Sequence, residues 1–166
     1  NPPFPRSSTS LSVLVLVAGL VNLWLLFRGW KINAIEESLL GRYHGSMTGF
    51  ESVILDGKWW TPWSSQLVHA GPGHFLPNFA VIAYGGYRVE RAIGATGFLV
   101  ASAAAVSLGG LFVALFSGLP VMGSSILGYG YLGALLTIGF RFGDTIPQAH
   151  RRFYGYGNLL LFALLF

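Results

Sequence analysis

The residues of this chain that could do chemistry are few, and a serine is the most informative of them. Ser125 lies in Gly123-Ser124-Ser125-Ile126, where a short loop leads into a long apolar run. Inside a membrane a hydroxyl is costly unless it has a hydrogen-bond partner or lines a wet cavity. Ser125 is therefore the first candidate for a functional residue, as a nucleophile, and Ser124 is its nearest alternative.

A second polar group stands at the start of an earlier apolar run and consists of His69, His74 and Asn78. Because His74 and Asn78 are four positions apart, a helix projects both from one face. His69 precedes the turn Gly71-Pro72-Gly73 and approaches from the loop instead. Three polar side chains thus enter the apolar region together.

Three interpretations of this group remain open from the residues alone. A metal site is one, although asparagine is a poor ligand and the two histidines lack i,i+4 spacing. The side chains could also satisfy backbone groups left open around Pro72 and Pro77. In the third interpretation, which we favour, His74 and Asn78 donate hydrogen bonds to a developing oxyanion while Ser125 attacks.

The composition indicates an integral membrane protein. Of the 166 residues, 53% are hydrophobic and 10% are charged, with a mean hydropathy of +0.60, whereas a soluble domain has about 25% charged residues. The chain contains no Cys, which excludes disulfides, thiolate nucleophiles and cysteine-based zinc sites. Helix packing must hold such a fold together.

Five apolar runs predict an all-α, polytopic transmembrane helical bundle, since a bilayer core takes about 20 helical residues. The first run is long and lacks a cleavage site, so we expect a retained helix rather than a signal peptide. The last run is still apolar at Phe166, and we expect a sixth helix beyond it. The runs are Leu11 to Phe27, His74 to Tyr87, Thr96 to Phe116, Ser125 to Phe140, and Phe153 onward.

Basic residues flank alternate loops between the predicted helices, and this pattern predicts a cytoplasmic N-terminus. The same pattern is consistent with a multi-pass protein of the plasma membrane. The basic residues bracket helices rather than forming one stripe, so they indicate no nucleic-acid partner. The segment 28–66 has four basic and four acidic residues, and we expect it outside, with short interfacial helices and Trp59, Trp60 and Trp63 near the headgroups. The flanking residues are Arg6, Arg88, Arg91, Arg141, Arg151 and Arg152.

The motifs, taken together with the intervals between them, resemble the rhomboid intramembrane serine proteases. The resemblance covers nearly the whole chain from Leu11 onward, and predicts a lead-in at 1–10 followed by one rhomboid-like domain at 11–166. The motifs are His69-x4-His74-x3-Asn78, then Gly86-Tyr87-Arg88-Val89-Glu90 with Gly94, and Gly123-x-Ser125 followed by Tyr129 and Gly133.

The resemblance implies a role for each matched residue. Ser125 is the implied nucleophile, His74 and Asn78 are implied oxyanion donors together with the Ser125 N–H, and His69 is an implied supporting residue of the cavity. The remaining implied roles are structural: Glu90 anchors the cytoplasmic end of the second helix, Tyr129 packs beside the catalytic base, and Gly128, Gly130 and Gly133 permit close helix approach.

The family's Ser-His dyad also needs a histidine on a sixth helix. His150 follows the serine but lies in the predicted cytoplasmic connection, out of reach of Ser125, so we expect the base beyond Phe166. Ile126 stands where the family usually has glycine, and we expect its branched side chain to crowd the active-site turn.

The resemblance implies cleavage of the transmembrane segments of membrane-protein substrates, with no metal or organic cofactor. Two alternatives remain. One is a catalytically inactive rhomboid-like protein that binds transmembrane helices or is a subunit of a larger membrane complex. The other is a transporter or channel. Against this alternative, the predicted helices of this chain carry no continuous set of polar residues from end to end.

Overall fold

The computed structural model of the protein describes Val13, Leu14, Leu16, Val17 and residues 19–21, 48–69 and 71–159. The described residues of the predicted first helix are helical. The rest of that helix and the amphipathic stretch predicted at 32–40 lie outside the described residues. One isolated antiparallel bridge, between Thr48 and Val121, accompanies the helices of the described part.

The segment that precedes the second polar group forms short helices, as predicted. A π-helical turn spans Glu51–Leu55, helix α1 spans Thr61–Ser64, and a 3-10 turn spans Ser65–Leu67. Pro62 is buried because its side chain lies against Gly110, where a side chain on residue 110 would overlap it. This contact fixes the end of the segment against a later helix.

The three tryptophans of this segment stay on its outside. Trp59, Trp60 and Trp63 are 73%, 41% and 47% exposed, and the rings of Trp59 and Trp60 meet edge to face with centroids 5.9 Å apart. Exposed tryptophans are typical of the headgroup level of a membrane. Their placement agrees with an interfacial segment.

Helix α2, Pro72–Phe116, consists of two arms that meet at Gly94. Gly94 has φ 75° and ψ 171°, a conformation that glycine adopts without the steric cost of a side chain. The two helices predicted at 74–87 and 96–116 are confirmed as the arms 72–93 and 95–116. The first arm is longer than predicted at both ends, and the second is longer by one residue at its start.

Helix α3, Ser125–Phe142, packs against both arms. Along α3, Gly128 and Tyr131 meet Val81 and Gly85, so α3 runs parallel to the first arm. Ile126 and Gly130 meet Gly109 and Ala105 in the opposite order, so α3 runs antiparallel to the second arm. The chain therefore reverses direction at Gly94.

The core lies where α3 meets the two arms. Tyr131 is fully buried, stacks on Phe98 with ring centroids 5.5 Å apart, and its hydroxyl lies 2.9 Å from Oγ of Ser102. The close approach predicted at Gly128 and Gly130 is confirmed, whereas Gly133 faces open space within the described residues. The other buried apolar residues here are Ile82, Val89, Val106, Leu127, Leu135 and Ile138.

Apolar side chains also cover the outside of the helices, as expected of a protein whose solvent is lipid. Leu99, Leu108 and Phe112 of the second arm are 54%, 68% and 63% exposed. By length and composition, Pro72–Phe116 and the helical stretch Ser125–Thr145 are apolar enough to cross a membrane. These features fit a transmembrane helical bundle.

After α3 the chain turns back at the end remote from Ser125. A 3-10 turn spans Gly143–Thr145 and helix α4 spans Gln148–Arg151. The N–H of Gly155 donates to the carbonyl of Leu135 over 3.1 Å, which holds this connection against α3. The fifth helix was predicted to begin near Phe153, but residues 153–156 form turns and the helix begins at residue 157. Residues 157–159 are helical, and the continuation of this helix lies outside the described residues.

Candidate active site

The loop before α2 and the turn before α3 meet through His69 and Ser124. Nε2 of His69 lies 2.9 Å from Oγ of Ser124 and accepts the backbone N–H of Ser124 over 3.2 Å. His69 is 1% exposed and Ser124 is 4% exposed. A contact between residues 55 positions apart in the chain thus lies directly beside Ser125.

The acceptor role of Nε2 defines the tautomer of His69. An imidazole nitrogen that accepts an N–H carries no proton, so the neutral ring has its proton on Nδ1. Burial, and to a smaller extent the neighbouring His74 ring, lower the pKa of His69 from 6.5 to about 4. His69 is therefore neutral at pH 7 and can accept the Ser124 hydroxyl proton in a hydrogen bond.

Gly123 brings the turn close to both histidines. Its φ is +96°, and a β-carbon at this position would lie 2.8 Å from Cε1 of His74 and 3.3 Å from Cδ2 of His69. The N–H of Gly123 donates to the carbonyl of Ser65 over 2.9 Å. Only glycine tolerates both this backbone conformation and this approach.

The strand-like pairing of Thr48 with Val121 holds the same loop from a second side. The N–H of each residue donates to the carbonyl of the other over 2.8 Å. Together with the bond from Gly123 to Ser65, this pairing attaches the loop before α3 to the segment before α2. The loop that presents Ser125 is thereby held by backbone contacts as well as by His69.

His74 and Asn78 share a face of α2, as the spacing predicted. Nδ2 of Asn78 donates to the carbonyl of His74 over 2.8 Å, and the rings of His74 and His69 meet edge to face with centroids 5.4 Å apart. Asn78 is 2% exposed, and its Oδ1 has no hydrogen-bond partner within the described residues. The amide nitrogen retains a second hydrogen for another acceptor.

Ser125 is the first residue of α3 and is half-buried. Within the described residues, the Ser125 hydroxyl donates no hydrogen bond. The side chain of the following residue, Ile126, lies against Gly109, since a β-carbon on residue 109 would be 2.5 Å from Cγ2 of Ile126. The missing side chain at Gly109 thus accommodates the branch that was expected to crowd the turn.

The supporting residues lie further from the serines. Glu90 is 1% exposed near the other end of the first arm, and neither carboxylate oxygen has a partner within the described residues. The hydrogen bonds predicted for Glu90 therefore stay a prediction. Tyr129 is 53% exposed, and its predicted contact with a catalytic base also stays a prediction.

Sequence reasoning placed Ser124 only as the alternative to Ser125, and the structure assigns it a contact of its own. In the sequence, Ser124 was notable only because it stands next to Ser125. No spacing pattern along the chain indicates that it contacts His69. His69, predicted to support the cavity from the loop, does approach from the loop and contacts the turn.

Comparison with known proteins identifies the family of the chain. The family model of the rhomboid domain matches residues 56–166, and the chain belongs to the rhomboid family. It is 34% identical over 87 residues to Rhomboid protease GluP of Bacillus subtilis (strain 168). The match covers 52% of this chain and 17% of that relative. No solved structure matches.

Family membership and the two long apolar helices make this an integral membrane protein. The matched region begins within the segment that precedes α1 and includes both polar groups.

Proposed function

We propose that the protein is an intramembrane serine protease that cleaves the transmembrane segments of membrane-protein substrates near their outer end. The observation that carries the proposal is the turn Gly123-Ser124-Ser125 at the start of a membrane helix, held against His69 and His74. The resemblance to a rhomboid protease supports the same reaction.

Ser125 is the proposed nucleophile. Its Oγ attacks the scissile carbonyl while a histidine takes its proton, and the acyl-enzyme is then hydrolysed by water. We propose that this histidine stands on a further helix outside the 166 residues. His150, the histidine that follows Ser125, lies in α4 beyond the far end of α3, so the full length of α3 separates it from the serine.

His74, Asn78 and the N–H of Ser125 are the proposed oxyanion donors. The N–H of Ser125 belongs to the first turn of α3, where backbone donors lack helical partners. Asn78 contributes the amide hydrogen that His74 does not occupy. Buried donors of this kind stabilise developing negative charge more strongly than donors in water.

Ser124 and His69 act in this proposal as a positioning pair. Nε2 of His69 accepts the N–H of Ser124 and lies 2.9 Å from its hydroxyl oxygen, so two groups of Ser124 attach the turn to this ring. The same 2.9 Å distance also lies within the range of a nucleophile and its base. Ser124 is therefore the residue against which the assignment of Ser125 must be tested.

The test compares two serine variants of the purified full-length protein with a fluorophosphonate probe, which labels activated serines. We expect labelling of the wild type, its loss in Ser125→Ala, and its partial retention in Ser124→Ala. Labelling that survives in Ser125→Ala and disappears in Ser124→Ala would transfer the nucleophile to Ser124. An unlabelled wild type that also leaves a reconstituted transmembrane substrate intact would overturn the proposal of a protease.

The second candidate is a catalytically inactive rhomboid-like protein that binds transmembrane helices or serves in a membrane complex. One observation favours it: within the described residues, His69 bonds Ser124 rather than Ser125, and no hydrogen bond found there connects the Ser125 hydroxyl to a histidine. Capture of a transmembrane helix by wild type and Ser125→Ala alike, without cleavage by either, is the outcome that selects this candidate.

We propose the plasma membrane as the location, with the N-terminus in the cytoplasm. Support comes from the arginines, because α3 runs parallel to the first arm, which places Arg88 and Arg91 at the same end as the connection after α3. That connection carries Arg151 and Arg152, and such an excess marks the cytoplasmic side. The proposed partners are a transmembrane substrate or partner helix and the lipid bilayer, with no nucleic acid and no cofactor.

A further inference from the structure

A cavity of about 200 Å³ opens at the end of the bundle remote from Ser125. It lies between the end of the first arm of α2 and the connection that contains α4. None of the residues that line it is acidic, and three carry nitrogen donors on side chains. The lining residues are Tyr87, Arg88, Arg91, His150, Phe153 and Tyr154.

Arg88 is held between two aromatic rings on the wall of this cavity. Its guanidinium carbon lies 3.7 Å from the ring centroid of Phe153 and 4.4 Å from that of Tyr84. Its Nε is buried and has no hydrogen-bond partner within the described residues. Rings that shield a guanidinium from water strengthen its attraction for an anion, because the local dielectric falls.

Arg91 and Tyr87 add a second set of donors to the wall. Nη1 of Arg91 donates to the Tyr87 hydroxyl over 2.7 Å. A hydroxyl that accepts this bond still has its own hydrogen to donate. A guanidinium has five N–H donors, so Arg91 can contact Tyr87 and an oxyanion at the same time.

The surrounding charge is positive. Residues 88–91 and 141–152 contain five arginines against two acidic residues, Glu90 and Asp144, a net charge of +3. Glu90 is buried and does not line the cavity. An anion at this position therefore meets an excess of cations at the end of a membrane helix.

We propose that this cavity binds a phosphate oxyanion, either from the headgroup of an anionic phospholipid or from a soluble phosphate. Guanidinium groups match the geometry of phosphate oxygens and bind them through paired hydrogen bonds. Anionic headgroups concentrate at the arginine-rich side of a membrane. The proposal concerns a site separate from Ser125 and holds whether or not the protein is a protease.

The test uses the purified full-length protein in neutral detergent and native mass spectrometry of lipid adducts. Dioleoyl-phosphatidylglycerol is compared with dioleoylglycerol, which has the same acyl chains and no phosphate. Wild type should bind the phospholipid at least about tenfold more tightly, and Arg91→Gln should weaken this binding about tenfold, since a bond to a charged group is lost.

Arg141→Gln is the matched control. Arg141 lies in the last turn of α3, is exposed, and does not line the cavity, so the variant loses the same charge elsewhere at that end. We expect it to bind as wild type does. Equal weakening by both variants, or equal binding of both lipids, would overturn the proposal in favour of diffuse surface charge.

Two further arms complete the experiment. Tyr87→Phe removes only the hydroxyl and should weaken phospholipid binding about threefold to tenfold. Unchanged binding in both this variant and Arg91→Gln would contradict the proposed phosphate site.

Inorganic phosphate is then added as a competitor. Displacement of the phospholipid assigns the site to soluble phosphate, and persistence of the adduct assigns it to the lipid headgroup.

Discussion

Nε2 of His69 lies 2.9 Å from Oγ of Ser124, and this contact connects the loop before the first membrane arm to the turn before α3. Both side chains are buried, and the backbone N–H of Ser124 reaches the same nitrogen. The pair fixes the orientation of the turn whose next residue is Ser125. Four predictions follow from this contact and from the packing around it.

Ser124→Ala should destabilise the protein without abolishing fluorophosphonate labelling. The variant leaves His69 with only the backbone N–H of residue 124 as a donor, and the free energy of unfolding should fall by about 1–3 kcal/mol. Thermal unfolding in detergent measures the change. Ser117→Ala is the control, because this loop hydroxyl bonds the carbonyl of Leu119 two residues away, and we expect a change below about 0.5 kcal/mol. A Ser124→Ala variant as stable as wild type would contradict the positioning role.

Acidification should destabilise the folded protein through His69. The folded pKa of about 4 lies below the unfolded value of about 6.5, so the unfolded chain binds more protons between these values. The stabilisation is complete above pH 6.5 and is lost as the pH falls toward 4, by on the order of 3 kcal/mol.

Unfolding measured across this pH range tests the effect, with His69→Gln expected to show a shallower slope than wild type. Identical slopes in wild type and His69→Gln would exclude His69 as the source.

Gly123→Ala should disrupt the turn. A β-carbon would lie 2.8 Å and 3.0 Å from Cε1 and Nε2 of His74, and the positive φ of +96° adds strain of about 1–3 kcal/mol. We expect lower thermal stability and loss of probe labelling. Gly118→Ala, in the same loop but without a neighbour within 4 Å among the described residues, should behave like wild type. Equal behaviour of the two variants would contradict the assigned contact.

Gly109 and Ile126 should be energetically coupled. A β-carbon on residue 109 would lie 2.5 Å from Cγ2 of Ile126, so Gly109→Ala should lower the free energy of unfolding by about 1–3 kcal/mol through overpacking. In an Ile126→Ala background the same change should cost less, with a coupling energy of about 0.5–3 kcal/mol. A double-mutant cycle measured by unfolding in detergent tests this, and strictly additive effects would refute the contact.

Much of the fold was predictable because membrane helices depend on local composition. Apolar runs long enough to span a bilayer placed the two arms of α2 and the helix α3, and the 3.6-residue period placed His74 and Asn78 on one face. The predicted boundaries differed from the observed ones at the ends, since the helices continue past the last apolar residue into polar turns.

The rotation of each helix about its axis was not predictable from residue types. Tyr129 and Tyr131 stand two positions apart on α3, and the first is exposed while the second is buried. Gly130 meets Ala105, whereas Gly133 faces open space within the described residues. Identical residues differ in this way because their environment depends on which neighbouring helix lies beside them.

The sequence by itself determined the class of the protein, its membrane helices, and the serine, histidine and asparagine motifs, since each depends on composition or on spacing along one segment. The tertiary structure alone decided that His69 pairs with Ser124, that Gly109 accommodates Ile126, and that Arg88 and Arg91 line one cavity with residues beyond α3. The physical reason is that these contacts join segments far apart in the chain. Helix packing and loop attachment bring them together, and no local pattern records them.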